Sequence, residues 1–234
     1  MMGAEERPTE ARRHFHEELE ALERDVLRMG ELAERSIAGA MEALVSRDPG
    51  SAERVIAGDD ELDRLYLSVE QRWLEVMALQ TPVASDLRRM SVILHVNFHL
   101  ERLGDIAVNI AKIARVTGEL PTNPTILAHL TEMADVVQRM VPAAMDAFAR
   151  RDLDLALRLP AMDDPVDRLN RGMYRGVAAC ADDHELLEWA VHMMVVSRQL
   201  ERVGDHAVDI AEQVAFLLTG EFREFTDASH PDED

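Results

Sequence analysis

An internal duplication constrains this chain more than any other feature of its sequence. Twelve residues of the first half recur 104 positions later: Met29, Arg35, Ala40, Met41, Ala43, Arg47, Asp48, Asp59, Asp60, Asp63, Arg64 and Leu65. Leu100-Glu101-Arg102, Gly104-Asp105, Ala107-Val108 and Ile110-Ala111 recur 100 positions later, between Leu200 and Ala211. Because chance similarity rarely keeps so many identities in order, we interpret the chain as two copies of one unit, with a net deletion of four residues in the second.

Each copy has the apolar spacing of three helices. The predicted helices cover residues 15–45, 51–79 and about 84–118 in the first copy, and 125–150, 153–179 and 185–218 in the second. Short turns between long helices imply antiparallel neighbours. The sequence therefore predicts an all-α fold of two tandem, pseudo-symmetric three-helix bundles, at residues 15–120 and 125–222, with flexible tails at 1–14 and 223–234.

Composition and charge narrow the class of function. Apolar residues make up 47% of the 234 residues and aromatic residues only 4%, a balance that favours helices over sheets. The formal net charge of −20 disfavours direct binding to nucleic acid or to an anionic membrane surface, because like charges repel. The single cysteine, Cys180, allows no intrachain disulfide. We find neither a signal peptide nor an apolar stretch of bilayer length, and we expect a cytoplasmic protein.

Four pairs of carboxylates have the spacing that places both members on one face of a helix. They are Asp59/Asp63 and Glu101/Asp105 in the first copy, and Asp163/Asp167 and Glu201/Asp205 in the second. Because Asp and Glu supply 45 of the 234 residues, any one pair is expected by chance. The pairs are also aligned. In each copy the midpoint between the Asp pair and the Glu/Asp pair falls at or beside a turn, at residue 82 in the first copy and at residue 184 in the second. Antiparallel helices joined there bring each Asp pair level with its Glu/Asp pair.

The surroundings of these acids favour a bound cation. The third helix is nearly apolar around Glu101, and ionised carboxylates beside such a face are costly unless a cation or hydrogen-bond donors compensate. Oxygen-only ligands suit hard cations, so we predict iron, manganese, magnesium or calcium at each cluster. Asn109 and Asp209 continue the same row as auxiliary ligands. Gly104 and Gly204 either leave room for an ion or allow close helix packing.

Local arginine pairing is the main alternative to a metal. Arg102 and Arg202 each follow the glutamate of the motif, where either could neutralise an acid through a salt bridge. We favour the metal, because arginine pairing does not account for the level alignment of the acids.

The remaining candidate residues carry less weight. His95 and His99 share a helix face without a matching pair in the second copy, so we expect packing or surface roles for them. His206 occupies the position of Ile106 in the first copy, which argues against a required ligand there. No histidine has a glutamate three residues before it, as a ferritin-like di-iron site requires, and no phosphate-binding loop or nucleophile elbow is present. We therefore predict that the protein is not an enzyme.

Two segments resemble the signature of the PhoU family. The first runs from Thr81-Pro82-Val83-Ala84 through Asp86-Leu87-Arg88 to Leu-Glu-Arg-Leu-Gly-Asp-Ile-Ala-Val-Asn-Ile-Ala at 100–111. The second is Leu-Glu-Arg-Val-Gly-Asp-His-Ala-Val-Asp-Ile-Ala at 200–211. The resemblance covers about residues 15–222 and implies paired three-helix bundles that bind multinuclear metal clusters. It assigns Asp59, Asp63, Glu101 and Asp105 to one site, and Asp163, Asp167, Glu201 and Asp205 to the other.

The resemblance also implies a regulatory role. Members of that family link the phosphate ABC transporter to a phosphate-sensing histidine kinase, repress the phosphate-starvation response when phosphate is plentiful, and are commonly dimers. We therefore expect a homodimeric adaptor that contacts the ATPase subunit of the transporter and the kinase. The alternatives are a metal-buffering helical protein without signalling partners and a metal-dependent phosphohydrolase. The second copy has Asp209 where the first has Asn109, so we do not expect the two sites to bind metal with equal affinity.

Overall fold

The computed structural model describes residues 10–80 and 82–225, and within these residues it contains helices and no strands. The helices are α1 (Glu10–Ser46), α2 (Pro49–Leu79), α3 (Ser85–Val116), α4 (Pro124–Arg150), α5 (Leu153–Ala156), α6 (Leu159–Ala178) and α7 (His184–Thr219). Helices α1, α2 and α3 pack together, as do α4, α6 and α7, and α3 packs against α7 to join the two groups. The prediction of an all-α fold with two tandem three-helix bundles is confirmed.

The turns between helices carry the duplication into the backbone. Asp48 caps α2 by accepting hydrogen bonds from the backbone N–H groups of Gly50 (2.9 Å) and Ser51 (3.1 Å). Its counterpart Asp152 accepts one from Leu155 N–H (2.9 Å). The residues before these caps, Arg47 and Arg151, both adopt the left-handed conformation, with φ of 55° and 56°. The same turn therefore ends the first helix of each repeat.

The predicted continuous helix at 153–179 is wrong. The structure divides it into α5 and α6, with a break at residues 157 and 158. Pro160 explains the break, because proline has no N–H to donate to the carbonyl four residues earlier and its ring clashes with that carbonyl. Proline is tolerated in the first turn of a helix, which is where Pro160 lies in α6.

The predicted ends of the chain lie largely outside the described residues. Residues 10–14, predicted to belong to a flexible tail, form the first turns of α1. The acidic segment after residue 225 falls beyond the part of the chain that the structure describes. The domain limits 15–120 and 125–222 stay a prediction.

The hydrophobic core is centred on the third helix of each repeat. In α1 the apolar residues at three- and four-residue spacing, such as Leu19, Leu22, Val26 and Met29, are fully buried. Helices α3 and α7 bury residues on several faces, because each packs against its own bundle and against the other. The acidic motifs on α3 and α7 lie at the edge of this core.

No helix among the described residues combines the length and the apolarity needed to cross a bilayer.

We expect Leu22→Ala to lower the free energy of unfolding by about 2–5 kcal/mol, because it removes a fully buried side chain and leaves a cavity. Leu74→Ala, at a position with 62% of its surface exposed, should change it by less than about 0.5 kcal/mol. Urea denaturation followed by circular dichroism measures both. Equal losses in the two variants would contradict the assignment of the core.

Candidate metal-binding site

The first carboxylate cluster, consisting of Asp59, Asp63, Glu101 and Asp105, lies where α2 and α3 run side by side. A Cβ atom built on Gly104 of α3 would come within 3.0 Å of the Asp59 Oδ1 atom of α2. The two helices therefore approach closely at this glycine, and the carboxylate of Asp59 occupies the space that a side chain would fill. The four predicted acids of the first copy lie close enough for the charges of Asp63 and Asp105 to raise the pKa of Asp59 and that of Glu101, but their role as metal ligands stays a prediction.

The electrostatics of the first cluster reflect this crowding. Burial, followed by repulsion from Asp63 and Asp105, raises the pKa of Asp59 to about 6. Burial and the charge of Asp105 also raise the pKa of Glu101, against the opposing effect of Arg102. These carboxylates are therefore less stable in their ionised form than acids in water, and a nearby cation would reverse that penalty.

Arg102 supplies part of the missing positive charge. Its Nη1 atom donates a hydrogen bond to Asp105 Oδ2 at 3.1 Å, and its Nε atom lies 3.1 Å from Glu101 Oε2. The second contact is short enough for an ion pair but is not aligned as a hydrogen bond, so both of its atoms are buried without a hydrogen-bond partner among the described residues. The guanidinium also lies 5.1 Å from the ring centroid of Phe98. Because 41% of the Arg102 side chain is exposed, solvent weakens these ion pairs.

The second carboxylate cluster, consisting of Asp163, Asp167, Glu201 and Asp205, lies between α6 and α7. A Cβ atom on Gly204 would overlap the carboxylate of Asp163, whose Cγ atom would be 3.0 Å away. Burial raises the pKa of Asp205, and repulsion from Asp167 acts in the same direction, whereas Arg198 opposes both. Glu201 is 8% exposed, and its Oε2 atom is buried without a hydrogen-bond partner among the described residues. The contact between an aspartate of the second helix and the glycine of the third therefore recurs in the second copy.

Arginine contacts differ between the two clusters. Arg202 donates a hydrogen bond to the side-chain oxygen of Gln199 (3.4 Å), whereas Arg102 contacts the acids of the first cluster. Glu201 instead pairs with Arg198, at a position where the first copy has Phe98. Arg171 lies 3.6 Å from Asp167. The acids keep their positions in both repeats while the arginines that contact them do not, which favours a shared role for the acids themselves.

A third group of ligand-type side chains, which sequence reasoning did not identify, lies where α3 packs against α7. We call it the histidine cluster: His99 of α3, with His206 and Asp209 of α7. The two Nδ1 atoms are 3.1 Å apart, and Asp209 Oδ2 lies 3.5 Å from that of His99 and 3.4 Å from that of His206. Burial lowers the pKa of His99 to about 4, although Asp209 opposes this shift. Neither the packing or surface role expected for His99 nor the expectation that His206 is not a required ligand predicted this cluster, which is compatible with metal binding.

His95 lies at the protein surface, in agreement with the packing or surface role expected for it. It is exposed, and its Nδ1 atom lies 2.8 Å from the carbonyl oxygen of Ser91 within the same helix.

Tandem three-helix bundles with acidic residues between the second and third helix of each repeat define a class of helical repeat proteins. The PhoU domain model matches residues 26–114 and 130–214, one match per repeat. The chain belongs to the PhoU family, as its signature residues predicted.

Relatives and solved structures agree with this assignment. The chain is 35% identical over 208 residues to the phosphate-specific transport system accessory protein PhoU homolog of Caulobacter vibrioides. The aligned region covers 88% of this chain and 90% of that protein. The chain is also 35% identical over 217 residues to the homolog of Pseudomonas aeruginosa, with 92% and 88% covered. The crystal structure of PhoU from Pseudomonas aeruginosa superposes with a TM-score of 0.84 at 34% identity, over 88% of this chain and all of that one. The phosphate transport system regulatory protein PhoU from Streptococcus pneumoniae gives 0.81 at 26% identity, over 90% and 100%.

We expect Asp59→Asn to stabilise the metal-free protein at pH 7 by only roughly 1–2 kcal/mol, because solvent screens this partly exposed group, and to have a much smaller effect at pH 4. An acid with a raised pKa holds its proton more tightly in the folded state. The contribution of Asp59 to the free energy of unfolding is therefore largest below its unfolded pKa of about 4, and it is lost as the pH rises towards the folded pKa of about 6. Urea denaturation at both pH values, in the presence of a chelator, measures the difference. The control is Asp60→Asn, at the exposed neighbouring acid, and an equal gain in that variant would contradict the prediction.

Proposed function

We propose that this protein regulates phosphate uptake and phosphate-starvation signalling as a cytoplasmic adaptor, with hard metal ions at its two carboxylate clusters. The observation that carries the proposal is that, in both repeats of a PhoU-family chain, an aspartate of the second helix lies against the glycine of the acidic motif on the third, Asp59 at Gly104 and Asp163 at Gly204. The similar proteins from Caulobacter vibrioides and Pseudomonas aeruginosa are named as accessory proteins of a phosphate-specific transport system. The similar structure from Streptococcus pneumoniae is named as a regulatory protein of such a system.

The donor chemistry of the clusters supports a hard cation. All eight acids offer carboxylate oxygen, which suits iron, manganese, magnesium or calcium. Glu101 and Glu201 each have a buried Oε2 atom without a hydrogen-bond partner in the described part of the chain. That of Glu101 is compensated by its ion pair with Arg102, but no hydrogen bond offsets the burial of either atom. A metal ion would supply charge that the arginines provide only in part. Asp59, Asp63, Glu101 and Asp105 would hold one site, and Asp163, Asp167, Glu201 and Asp205 the other.

Surface charge and exposed apolar residues support an adaptor role. The net charge of −20 suits partners with basic patches, for which we propose the ATPase subunit of the phosphate ABC transporter and the phosphate-sensing histidine kinase. Leu67 and Leu74 of α2 are 60% and 62% exposed and share one helix face, and Leu67 lies one turn after Asp63 of the first cluster. Exposed apolar groups of this kind are typical of contact surfaces. The contact would be with a partner or with a second copy in a homodimer.

We expect Glu101→Gln/Glu201→Gln to lose the stoichiometric metal of the wild type, because each substitution replaces a charged oxygen ligand with a neutral amide. Elemental analysis of protein purified without chelators measures the content. The control is Glu31→Gln/Asp135→Asn, which removes two exposed acids at equivalent positions of the repeats and should keep the metal. Equal metal contents in all three proteins would rule out the carboxylate sites.

We expect Leu67→Ser/Leu74→Ser to weaken binding to the ATPase subunit or to the kinase by about tenfold or more, which corresponds to about 1.4 kcal/mol. Biolayer interferometry with each purified partner, with metal and phosphate varied, measures the affinity. Tyr174→Ser, at a residue of α6 that is 71% exposed, serves as the control. If the wild type bound neither partner under any of these conditions, the adaptor role would be wrong, whatever the metal content.

The variant that lacks the glutamates also separates the proposed regulator from its alternatives. A regulator whose metal matters requires Glu101→Gln/Glu201→Gln to alter phosphate-dependent gene expression. A metal buffer would lose metal without that effect. A phosphohydrolase would show turnover of a phosphate ester that the same substitutions abolish.

A further inference from the structure

We propose that the histidine cluster is a third metal site, which binds one transition-metal cation of the Zn²⁺ class where the two repeats meet. Its ligands are Nδ1 of His99, Nδ1 of His206 and a carboxylate oxygen of Asp209. None of the eight acids of the carboxylate clusters takes part in it. The site does not depend on the proposed regulatory function.

The spacing of the three donor atoms carries the proposal. The atoms form a triangle with edges of 3.1, 3.4 and 3.5 Å. Ligands at about 2.0–2.1 Å from a tetrahedral metal lie about 3.3–3.4 Å from one another, whereas ligands at right angles lie only about 2.9 Å apart. The observed edges fit three corners of a tetrahedron. One cation would therefore contact all three donors with little movement of the side chains.

A hydrogen bond between the two imidazoles accounts for less of this geometry. One neutral ring could donate its Nδ1–H to the Nδ1 lone pair of the other across 3.1 Å. The carboxylate oxygen of Asp209 takes no part in that hydrogen bond: at 3.4 and 3.5 Å it lies beyond the usual N–H···O distance of about 2.7–3.2 Å and could contact the rings only as an ion pair with a protonated imidazole. A metal explains the position of all three groups.

The donor set and its exposure indicate the class of metal. Imidazole nitrogen suits zinc, copper, iron and nickel, whereas the all-oxygen carboxylate clusters suit harder ions. The side chains of His99 and His206 are 13% and 15% exposed, so protein surrounds the rings, while Asp209 is 42% exposed and provides a path from solvent. Three protein ligands leave a fourth position for water. The Nε2 atom of His206 is buried without a hydrogen-bond partner among the described residues. A metal-binding histidine usually donates its second ring N–H to a partner that orients the ring, so this lack lowers the affinity for the metal.

The pseudo-symmetry of the chain predicts one such site and not two. The positions that correspond to His99, His206 and Asp209 in the other repeat are Gln199, Ile106 and Asn109. This second set contains neither an imidazole nor a carboxylate, so it cannot provide the same ligands. A metal at the histidine cluster would link α3 of the first repeat to α7 of the second, two helices that already pack together.

The other repeat also supplies matched substitutions for the test. His99→Gln and His206→Ile each introduce the residue that the chain carries at the equivalent position, so both replacements suit a helix seam of this kind. The full-length protein is stripped of metal with a chelator and titrated with Co²⁺, whose tetrahedral complexes absorb visible light much more strongly than its octahedral ones. Thermal unfolding of each variant confirms that it is folded.

We expect one equivalent of Co²⁺ to give the tetrahedral spectrum, Zn²⁺ to displace it, and each histidine variant to bind at least about tenfold more weakly, since even outer-shell partners contribute 10–100-fold. His95→Gln, at the exposed histidine one turn away, should bind as the wild type does. Glu101→Gln/Glu201→Gln should also keep the signal. The proposal is overturned if no tetrahedral spectrum forms, if folded His99→Gln and His206→Ile retain it, or if it disappears with the glutamates.

Discussion

The close approach of the second and third helix of each repeat is the constraint on which the site depends. Gly104 and Gly204 lack the side chain that would separate the helices, and the carboxylates of Asp59 and Asp163 occupy the space this leaves. Burial beside an apolar helix makes an ionised carboxylate costly, and neighbouring acids add to the cost. A protein that places such a group at this point twice gives up stability unless positive charge compensates. The geometry of the backbone thus creates the electrostatic requirement that a cation would satisfy.

The two repeats meet this requirement in different ways. In the first, the half-exposed Arg102 contacts both Glu101 and Asp105. In the second, Arg198 contacts the buried Glu201 from the preceding turn of α7. A cation at either cluster competes with the local arginine, so the balance of charge differs between the sites. This difference adds to that between Asn109 and Asp209, and both predict unequal metal affinities for the two clusters despite their common plan.

Much of the fold and of the carboxylate clusters could be predicted because the information is local or repeated. The offset between copies revealed two units, and the position of Thr81-Pro82 between two acid pairs predicted that those pairs would lie level. The break before Pro160 was harder to predict, because α4 and α6 continue through Pro142 and Pro165 and a proline alone does not show where a helix ends. The contact between His99 and His206 could not be predicted. It joins residues 107 positions apart on helices of different repeats, and helical periodicity does not specify which faces two bundles present to each other.

Helix α7 also links the histidine cluster and the second carboxylate cluster electrostatically. Helix α7 carries Glu201, Asp205, His206 and Asp209 within about two turns, so the second carboxylate cluster and the histidine cluster share one short segment. The negative charge of Asp209 raises the pKa of Asp205. A cation bound to Asp209 would remove that repulsion and favour the ionised form of Asp205, while repelling a second cation nearby. The two effects oppose each other, but thermodynamic linkage requires whichever prevails to act equally in both directions. Any effect of metal at the junction of the repeats on metal at the second cluster would therefore be matched by an equal effect in return.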